Sequence, residues 1–135
     1  MITQNKLIKL NIQVFFLVLL FFVSGYKKYI NFDSTVSSFK TVLEKFNIKD
    51  LDINIYKFII LLVVIFELLA PIAMGLSINE YIDKNYSKIC TILLIIFTIL
   101  ATILYHNPLI DENQLLKMLK NLSIIGGFLC LYDLL

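Results

Sequence analysis

The feature that most constrains this chain is an apolar run at residues 58–78 that contains a single charged residue, Glu67. Another run, at residues 89–105, contains no charged residue. About 20 apolar residues in a helix suffice to cross the hydrocarbon core of a bilayer, which is roughly 30 Å thick. Because lipid offers the backbone no hydrogen-bonding partners, a spanning segment must pair its own N–H and C=O groups, as a helix does. The two runs therefore predict two transmembrane helices.

Two further apolar runs lie near the ends of the chain. The first is preceded by Lys6 and Lys9 and followed by Lys27 and Lys28, so a cleaved signal peptide is the alternative for it. The predicted spans lie at about 8–26, 57–78, 88–106 and 118–135. A length of 135 residues suits one domain. The prediction for 1–135 is an all-α, integral membrane four-helix bundle with both chain ends on one side of the membrane.

The composition agrees with a protein embedded in a lipid bilayer and argues against several other classes. The chain is 59% hydrophobic, whereas soluble domains are roughly 45–50% apolar. Its net charge of +2 is too small and too scattered to predict a nucleic-acid partner. The two cysteines lie far apart, which excludes a CxxC redox pair. No motif for haem, flavin or an iron–sulfur cluster is present, so no intrinsic cofactor is predicted.

The loop after the first span, residues 31–52, is polar overall but carries apolar residues at helical spacing. These are Val36, Phe39, Val42, Leu43 and Phe46. The pattern predicts an amphipathic helix that is capped by Asp33 or Ser34 and ends at Asn47, a residue that tolerates the left-handed conformation. We expect this helix to lie on the membrane surface. The alternative is a hairpin helix that packs on its own loop.

The lysines are distributed unequally between the two sides of the predicted bundle. Eight of the twelve lie in or beside the first and third loops. Because lysine-rich loops stay in the cytoplasm, this bias favours a topology with both termini outside. The bias is slight, since lysines at helix ends also take positions that let their stems cover apolar surface.

Glu67 is the residue that most requires explanation. Near the middle of a span, an acidic side chain costs roughly 2.5–3.5 kcal/mol on insertion scales, so Glu67 is predicted to face the bundle interior. Pro71 lies four residues later and removes the amide that would bond the Glu67 carbonyl, which predicts a kink beside the carboxyl group. Two roles stay open for Glu67. One is ligand binding or proton handling, and the other is a structural hydrogen bond to a neighbouring helix.

Other polar residues are predicted to approach Glu67 if consecutive spans are antiparallel neighbours. His106 ends the third span, while Lys120 and Asn121 open the fourth. An ion pair between Glu67 and Lys120, formed by a snorkelling lysine, is one way to satisfy the carboxylate. His106 is the only histidine of the chain, and few carboxylates are near it in sequence, so no metal site is predicted.

Several segments resemble the DoxX family of membrane proteins. The segment 22–28, with Phe21 before it, looks like the family's Phe-x-x-x-Gly-x-x-Lys region, at the end of the first span. Glu67 with Gly75 downstream resembles the family's second helix, and 102–106 resembles the end of its third helix at a histidine. Residues 114–127 look like its Gln…Lys-Asn-Leu-x-x-x-Gly-Gly segment. Together these segments cover nearly the whole chain in the family's order.

The resemblance implies a four-helix membrane bundle, and the convergence of polar residues in one half of it predicts a polar pocket. The candidate pocket residues are Glu67, His106, Lys120, Asn121 and Gln13. Gln13 stands roughly where family members often carry an arginine, and it offers hydrogen bonds but no charge. Small residues let membrane helices approach closely, and a proline bends them. The candidate structural residues are Gly25, Pro71, Gly75, Gly126 and Gly127.

The family name is tied to membrane subunits of thiosulfate:quinone oxidoreductase and to other redox-linked membrane complexes. The resemblance therefore implies a subunit that contacts a quinone and has soluble or membrane redox subunits as partners. It does not imply catalysis by this chain alone. Distant relatives act in cargo export and receptor assembly, so a non-enzymatic membrane adaptor or assembly chaperone is the alternative. A transporter or channel would require a homo-oligomer, because four helices leave little room for a path.

Overall fold

A computed structural model describes residues 4–135, and no strand occurs within that range. The helices are α1 (Gln4–Ile30), α2 (Phe32–Lys45), α3 (Ile53–Ile78), α4 (Asn85–Tyr105) and α5 (Leu115–Leu134), with a 3-10 turn at Glu112–Gln114 before α5. Four of these helices, α1, α3, α4 and α5, are long and apolar enough to cross a membrane. The predicted all-α, four-helix membrane bundle is thereby confirmed, and the chain is a multi-pass membrane protein by the length and composition of its helices.

The four long helices form a closed ring. Helix α1 packs along α3, α3 on α4, α4 on α5, and α5 returns to α1. Each helix extends a few residues beyond its predicted span on at least one side. The 27 residues of α1 measure about 40 Å at 1.5 Å per residue. Since the hydrocarbon core is roughly 30 Å thick, part of α1 projects past it.

The core of the ring is built on one face of α1. Leu10, Val14, Val18 and Phe21 recur every three or four residues and are all buried. The Phe21 ring lies 5.6 Å from the ring of Phe128 in α5 and 6.2 Å from that of Phe97 in α4, measured between centroids. These aromatic contacts join three helices at the level of the bundle where the polar residues begin.

Helix α2 begins earlier than its sequence predicts. Asn31 alone separates it from α1, and Asn31 makes no capping hydrogen bond with its side chain. The backbone N–H of Asn31 donates to Lys27 O at 3.0 Å, and that of Thr35 donates to Asn31 O at 2.9 Å. Helical hydrogen bonding thus runs through the junction, so the predicted cap at Asp33 or Ser34 is wrong. Asn47 has a φ of 59°, which confirms the left-handed end of this segment.

The apolar face of α2 is buried inside the protein. Three of its residues pack against the first turns of α3, namely Val36, Phe39 and Leu43 against Tyr56, Ile60 and Val64. This face is consequently covered by α3 and is not free to meet lipid. The predicted amphipathic helix is present, but it packs on α3 instead of on its own loop or with its apolar face towards lipid.

The register of α1 against α3 decides the height of Glu67. Glu67 lies near the middle of α3 by residue number. It packs against Gly25, only five residues, or about 8 Å, before the end of α1 at Ile30. At the other end of the pair, the amides of Asn11 and Asn79 hydrogen-bond each other at 2.9 and 3.2 Å. The first turns of α3 therefore extend past α1, and α2 covers them.

Candidate functional site

The polar centre of the bundle consists of Glu67 on α3 with Lys28 and Ser24 on α1. Lys28 Nζ lies 2.7 Å from Oε2 and 2.8 Å from Oε1 of Glu67. Lys28 also donates to the Ser24 hydroxyl oxygen at 2.6 Å, and that hydroxyl donates to Glu67 Oε1 at 3.1 Å. The side chain of Glu67 is 2% exposed and that of Lys28 is 28% exposed. Charge-assisted hydrogen bonds thus compensate the buried carboxylate.

The position of this ion pair follows from the helical period of α1. Its buried stripe continues from Phe21 to Gly25 and reaches Lys28 three residues later. Ser24 and Lys28 are four residues apart and hence neighbours on the helix surface. A Cβ added at Gly25 would lie 2.8 Å from Glu67 Cβ, closer than real Cβ contacts allow. The glycine thus lets α3 approach closely enough for Glu67 to meet both side chains.

A cavity of about 570 Å³ adjoins the polar centre. Its apolar lining comes mainly from α1, α3 and α4, and includes Leu20, Ile60, Val63, Leu100 and Leu104. Its polar lining comes from all five helices and from His106, which directly follows α4. The polar lining residues are Ser24, Lys28, Ser34, Thr35, Ser38, Glu67, Thr98, Tyr105, His106 and Asn121. A mostly apolar cavity of this size with a small polar set is typical of small-molecule sites, which measure roughly 300–1,000 Å³.

His106 is held by a chain of hydrogen bonds that leads out of the cavity. Its Nδ1 lies 3.1 Å from Gln114 Oε1, and Gln114 Nε2 donates to Asp111 Oδ2 at 2.9 Å. Asp111 Oδ1 accepts from the backbone N–H of Asn113 at 3.0 Å. Hydrogen bonds from Gln114 and Asn113, together with the charge of Lys45, hold the pKa of Asp111 below its usual range. Asp111 is therefore an ionised acceptor at neutral pH.

Asn121 connects α5 to α4 at the wall of the cavity. Its Nδ2 donates to Thr102 Oγ1 at 2.9 Å. The Thr102 hydroxyl itself donates to the backbone oxygen of Thr98 at 2.6 Å, so its oxygen is free to accept from Asn121. The side-chain oxygen and one amide N–H of Asn121 are left for other partners.

The structure brings together three of the five predicted pocket residues. Glu67, His106 and Asn121 all line the cavity. Lys120 and Gln13 are exposed and do not line it. Glu67 pairs with Lys28 instead of Lys120, because Lys120 precedes Asn121 on α5 and successive residues of a helix point about 100° apart.

The predicted structural residues divide into two groups. Gly25 meets α3 closely, and a Cβ at Gly127 would lie 2.9 Å from a terminal carbon of Leu17. Gly75 and Gly126 have no such neighbour within 4 Å, so close packing among the described residues does not require a glycine at either position. Pro71 is buried inside α3 and, with Gly75, lines a second groove on the α1 side.

Sequence reasoning did not assign Lys28, Ser24 or Gln114 to the site. Lys28 was part of the segment that resembles the DoxX pattern, but its role as the partner of Glu67 was not predicted. The helical period of α1 could have identified Lys28. The residues that face the bundle recur every three or four positions up to Gly25, and the next position on that face is Lys28. Gln114 had no comparable signal, because its contact with His106 depends on how the loop after α4 folds back.

Comparison with known proteins does not place the chain in a family. No protein-family model, no curated protein and no solved structure matches it. Within residues 4–135, no group of three or more His, Cys, Asp or Glu side chains comes together in a way that could hold a metal ion.

Proposed function

We propose that this chain is a DoxX-like membrane subunit whose cavity holds a quinone, within a redox-linked membrane complex. The observation that carries the proposal is the cavity of about 570 Å³ beside Lys28 and Glu67, mostly apolar but with a few polar groups. A quinone combines an apolar body and tail with two polar oxygens, so it fits a site of this composition. The sequence resemblance to DoxX proteins supports the same class of ligand.

The residues that would hold a quinone fall into two sets. Leu20, Ile60 and Leu104 offer apolar surface for the ring and the tail. Tyr105 and Asn121 can donate hydrogen bonds to the carbonyl oxygens, and His106 lies beside them in the lining. A bound quinone supplies two-electron chemistry coupled to protons. The chain itself contributes orientation and exclusion of water, and the electrons would come from a redox partner.

Glu67 and Lys28 serve the site mainly by shaping it. Each neutralises the other, and the carboxylate is 2% exposed, so little of Glu67 is available to a ligand. Substituting either residue would disturb the packing of α1 on α3 together with the cavity. A substitution that fills the cavity is therefore the sharper test of ligand binding.

The test compares two tryptophan variants on the same helix. Ala101 lines the cavity, whereas Ile103, two residues later on α4, is 49% exposed and points away from it. Each protein is purified from its own membrane in mild detergent, and bound lipids are identified by native mass spectrometry and solvent extraction. We expect quinone, in either redox form, with the wild type and with Ile103→Trp, and none with Ala101→Trp. A wild type without quinone, or an Ala101→Trp variant that retains it, would contradict the proposal.

A second candidate function is that of a membrane adaptor, and the exposure of α5 favours it. In the 18-residue apolar stretch that would cross the membrane, only 11% of the residues are buried within the chain for the last span, Glu112–Leu134, against 33% for α3. A helix so little covered by its own chain can present a face to another membrane protein or to a second copy. The same purification separates the candidates, because an adaptor retains a stoichiometric protein partner in both tryptophan variants and contains no quinone.

A further inference from the structure

We infer that the cavity prefers the reduced, hydrogen-bond-donating form of its ligand, a quinol, over the corresponding quinone. This inference rests on the proposed function and adds which redox form the site retains. A quinone offers only carbonyl acceptors, whereas a quinol offers two O–H donors. The preference therefore depends on whether the polar groups of the cavity present donors or acceptors.

The strongest donor of the cavity is already occupied. Lys28 is the one lysine among the described lining residues, and an ammonium group has three N–H donors. The three acceptors within reach are both oxygens of Glu67 and the hydroxyl oxygen of Ser24, at 2.6 to 2.8 Å. The hydroxyl hydrogen of Ser24 is directed to Glu67 as well. A quinone carbonyl would have to displace one of these charge-assisted hydrogen bonds in order to bind Lys28.

The Nε2 atom of His106 is a hydrogen-bond acceptor, because the residues bonded to the other ring nitrogen decide where the imidazole proton resides. Asp111 is ionised and can only accept, so the side-chain nitrogen of Gln114 must face it. The side-chain oxygen of Gln114 consequently faces His106 Nδ1 at 3.1 Å, and the proton of a neutral imidazole resides on Nδ1. The other ring nitrogen, Nε2, then carries a lone pair. In the described part of the chain Nε2 has no hydrogen-bond partner, so it can accept from a ligand hydroxyl group.

The hydroxyl groups of Thr35 and Thr98 already donate to the backbone oxygens of Asn31 and Leu94, at 2.9 and 2.7 Å, so towards a ligand they too can only accept. The other polar groups of the lining favour neither redox form. The hydroxyl groups of Tyr105, Ser34 and Ser38 rotate, so each can donate to a quinone or accept from a quinol. Asn121 offers both an oxygen and an N–H. His106 is thus the acceptor whose lone pair depends on its hydrogen-bonded neighbours, and Gln114 and Asp111 are positioning residues that act through its tautomer.

The experiment measures the affinity of the wild type for decylubiquinol and for decylubiquinone, in nanodiscs at pH 8 without oxygen. One additional hydrogen bond predicts that the quinol binds about tenfold more tightly, which corresponds to about 1.4 kcal/mol. Binding of neither form would overturn the proposed function and this inference together. Equal affinities, or tighter binding of the quinone, would overturn this inference alone.

Two variants test whether the preference comes from the tautomer of His106. Gln114→Leu removes the acceptor at Nδ1, and Asp111→Asn frees the Gln114 amide to rotate while the new side-chain oxygen still accepts from Asn113 N–H. The quinol preference should fall to about twofold or less in both variants. Glu112→Leu, an exposed neighbour in the same turn, is the control and should keep the tenfold preference. A preference that persists in folded Gln114→Leu and Asp111→Asn proteins would contradict the assignment.

Discussion

Lys28 and Glu67 form an ion pair between α1 and α3 in which Lys28 Nζ lies within 2.8 Å of both carboxylate oxygens. Gly25, one turn before Lys28, brings α3 close enough for this contact. The most costly residue of the membrane region is thereby compensated near the end of α1, by a lysine whose side chain is 28% exposed. The stability of the bundle and the shape of the cavity both depend on this pair.

Removing Lys28 alone should destabilise the protein more than removing the whole pair. Lys28→Met leaves the buried carboxylate without its cation, which costs up to roughly 3–5 kcal/mol for a fully buried pair. Because Lys28 is partly exposed, we expect a loss of roughly 2–3 kcal/mol in the free energy of unfolding. Titration with SDS in mixed micelles measures this quantity.

The double variant Lys28→Met/Glu67→Met completes a double-mutant cycle. It should recover at least half of the stability lost in Lys28→Met, since it replaces the ion pair by apolar side chains. Lys27→Met is the matched control, because Lys27 is the exposed neighbour on the same helix, and it should have little effect. A double variant that is as unstable as Lys28→Met would show that the lysine does not act through Glu67.

Alanine substitutions at three glycines should destabilise the protein to different degrees. The loss should be greatest where the added Cβ would meet the closest and least mobile neighbour. At Gly25 the Cβ would meet Glu67 Cβ at 2.8 Å and force α1 away from α3, so we expect a loss of roughly 1–3 kcal/mol. At Gly127 it would meet the flexible end of Leu17, which can move at small cost. At Gly126 nothing lies within 4 Å, and alanine should be neutral or slightly stabilising.

The same unfolding titration measures all three glycine variants. Equal effects at Gly25 and Gly126 would contradict the close approach of α1 to α3. A quinone that is retained in Gly25→Ala would show, separately, that the cavity tolerates a small shift of α1.

Tyr56→Phe should raise the stability of the protein. The Tyr56 side chain is fully buried, and its hydroxyl group has no hydrogen-bond partner among the described residues. An unsatisfied buried hydroxyl costs roughly 1–3 kcal/mol, so its removal should raise the free energy of unfolding by about 1 kcal/mol.

Tyr56→Leu provides the contrast, because it also removes the ring that meets Phe39 edge to face at 6.1 Å. It should lower the stability by roughly 1–3 kcal/mol. A Tyr56→Phe variant that loses 1 kcal/mol or more would indicate that the hydroxyl group has a partner, such as a bound lipid.

Single cysteines in the loops should report one topology. In a background with Cys90 and Cys130 replaced by alanine, Leu51→Cys lies in the first loop, Tyr81→Cys in the second and Leu109→Cys in the third. Because the first and third loops carry most of the lysines, they should face the cytoplasm. In intact cells a membrane-impermeant maleimide should label Tyr81→Cys alone. Labelling of Leu51→Cys and Leu109→Cys without Tyr81→Cys would show the opposite orientation. Labelling of all three variants would contradict a topology with four spans.

Much of the fold was predictable because its main determinants are local. An apolar run of about 20 residues must form a helix in lipid whatever its neighbours are, so the four spans required only composition and length. The left-handed Asn47 at the end of α2 was likewise a property of a single residue. The start of α2 was predicted wrongly because helical hydrogen bonding continues from the last turn of α1 through Asn31, and no capping residue marks the junction.

The site was only partly predictable, since side-chain partners depend on register. Glu67, His106 and Asn121 were identified from their cost or their place in a pattern, and they do line one cavity. Lys120 was one possible partner of Glu67, but its side chain is exposed and does not line the cavity. The alternating order of the spans indicates which residues share an end of the bundle, but it contains no information on which helix face each residue occupies.

The sequence by itself determined that this chain crosses a membrane with four helices and that Glu67 must face inward, because both follow from the cost of polar groups in lipid. The tertiary structure alone decided which groups satisfy that carboxylate and where the cavity forms. The reason is physical, since the height of α3 against α1 is set by close packing at Gly25 and by the amide pair of Asn11 and Asn79. Contacts of this kind join residues far apart in sequence, and a shift of one helical turn would give Glu67 different neighbours.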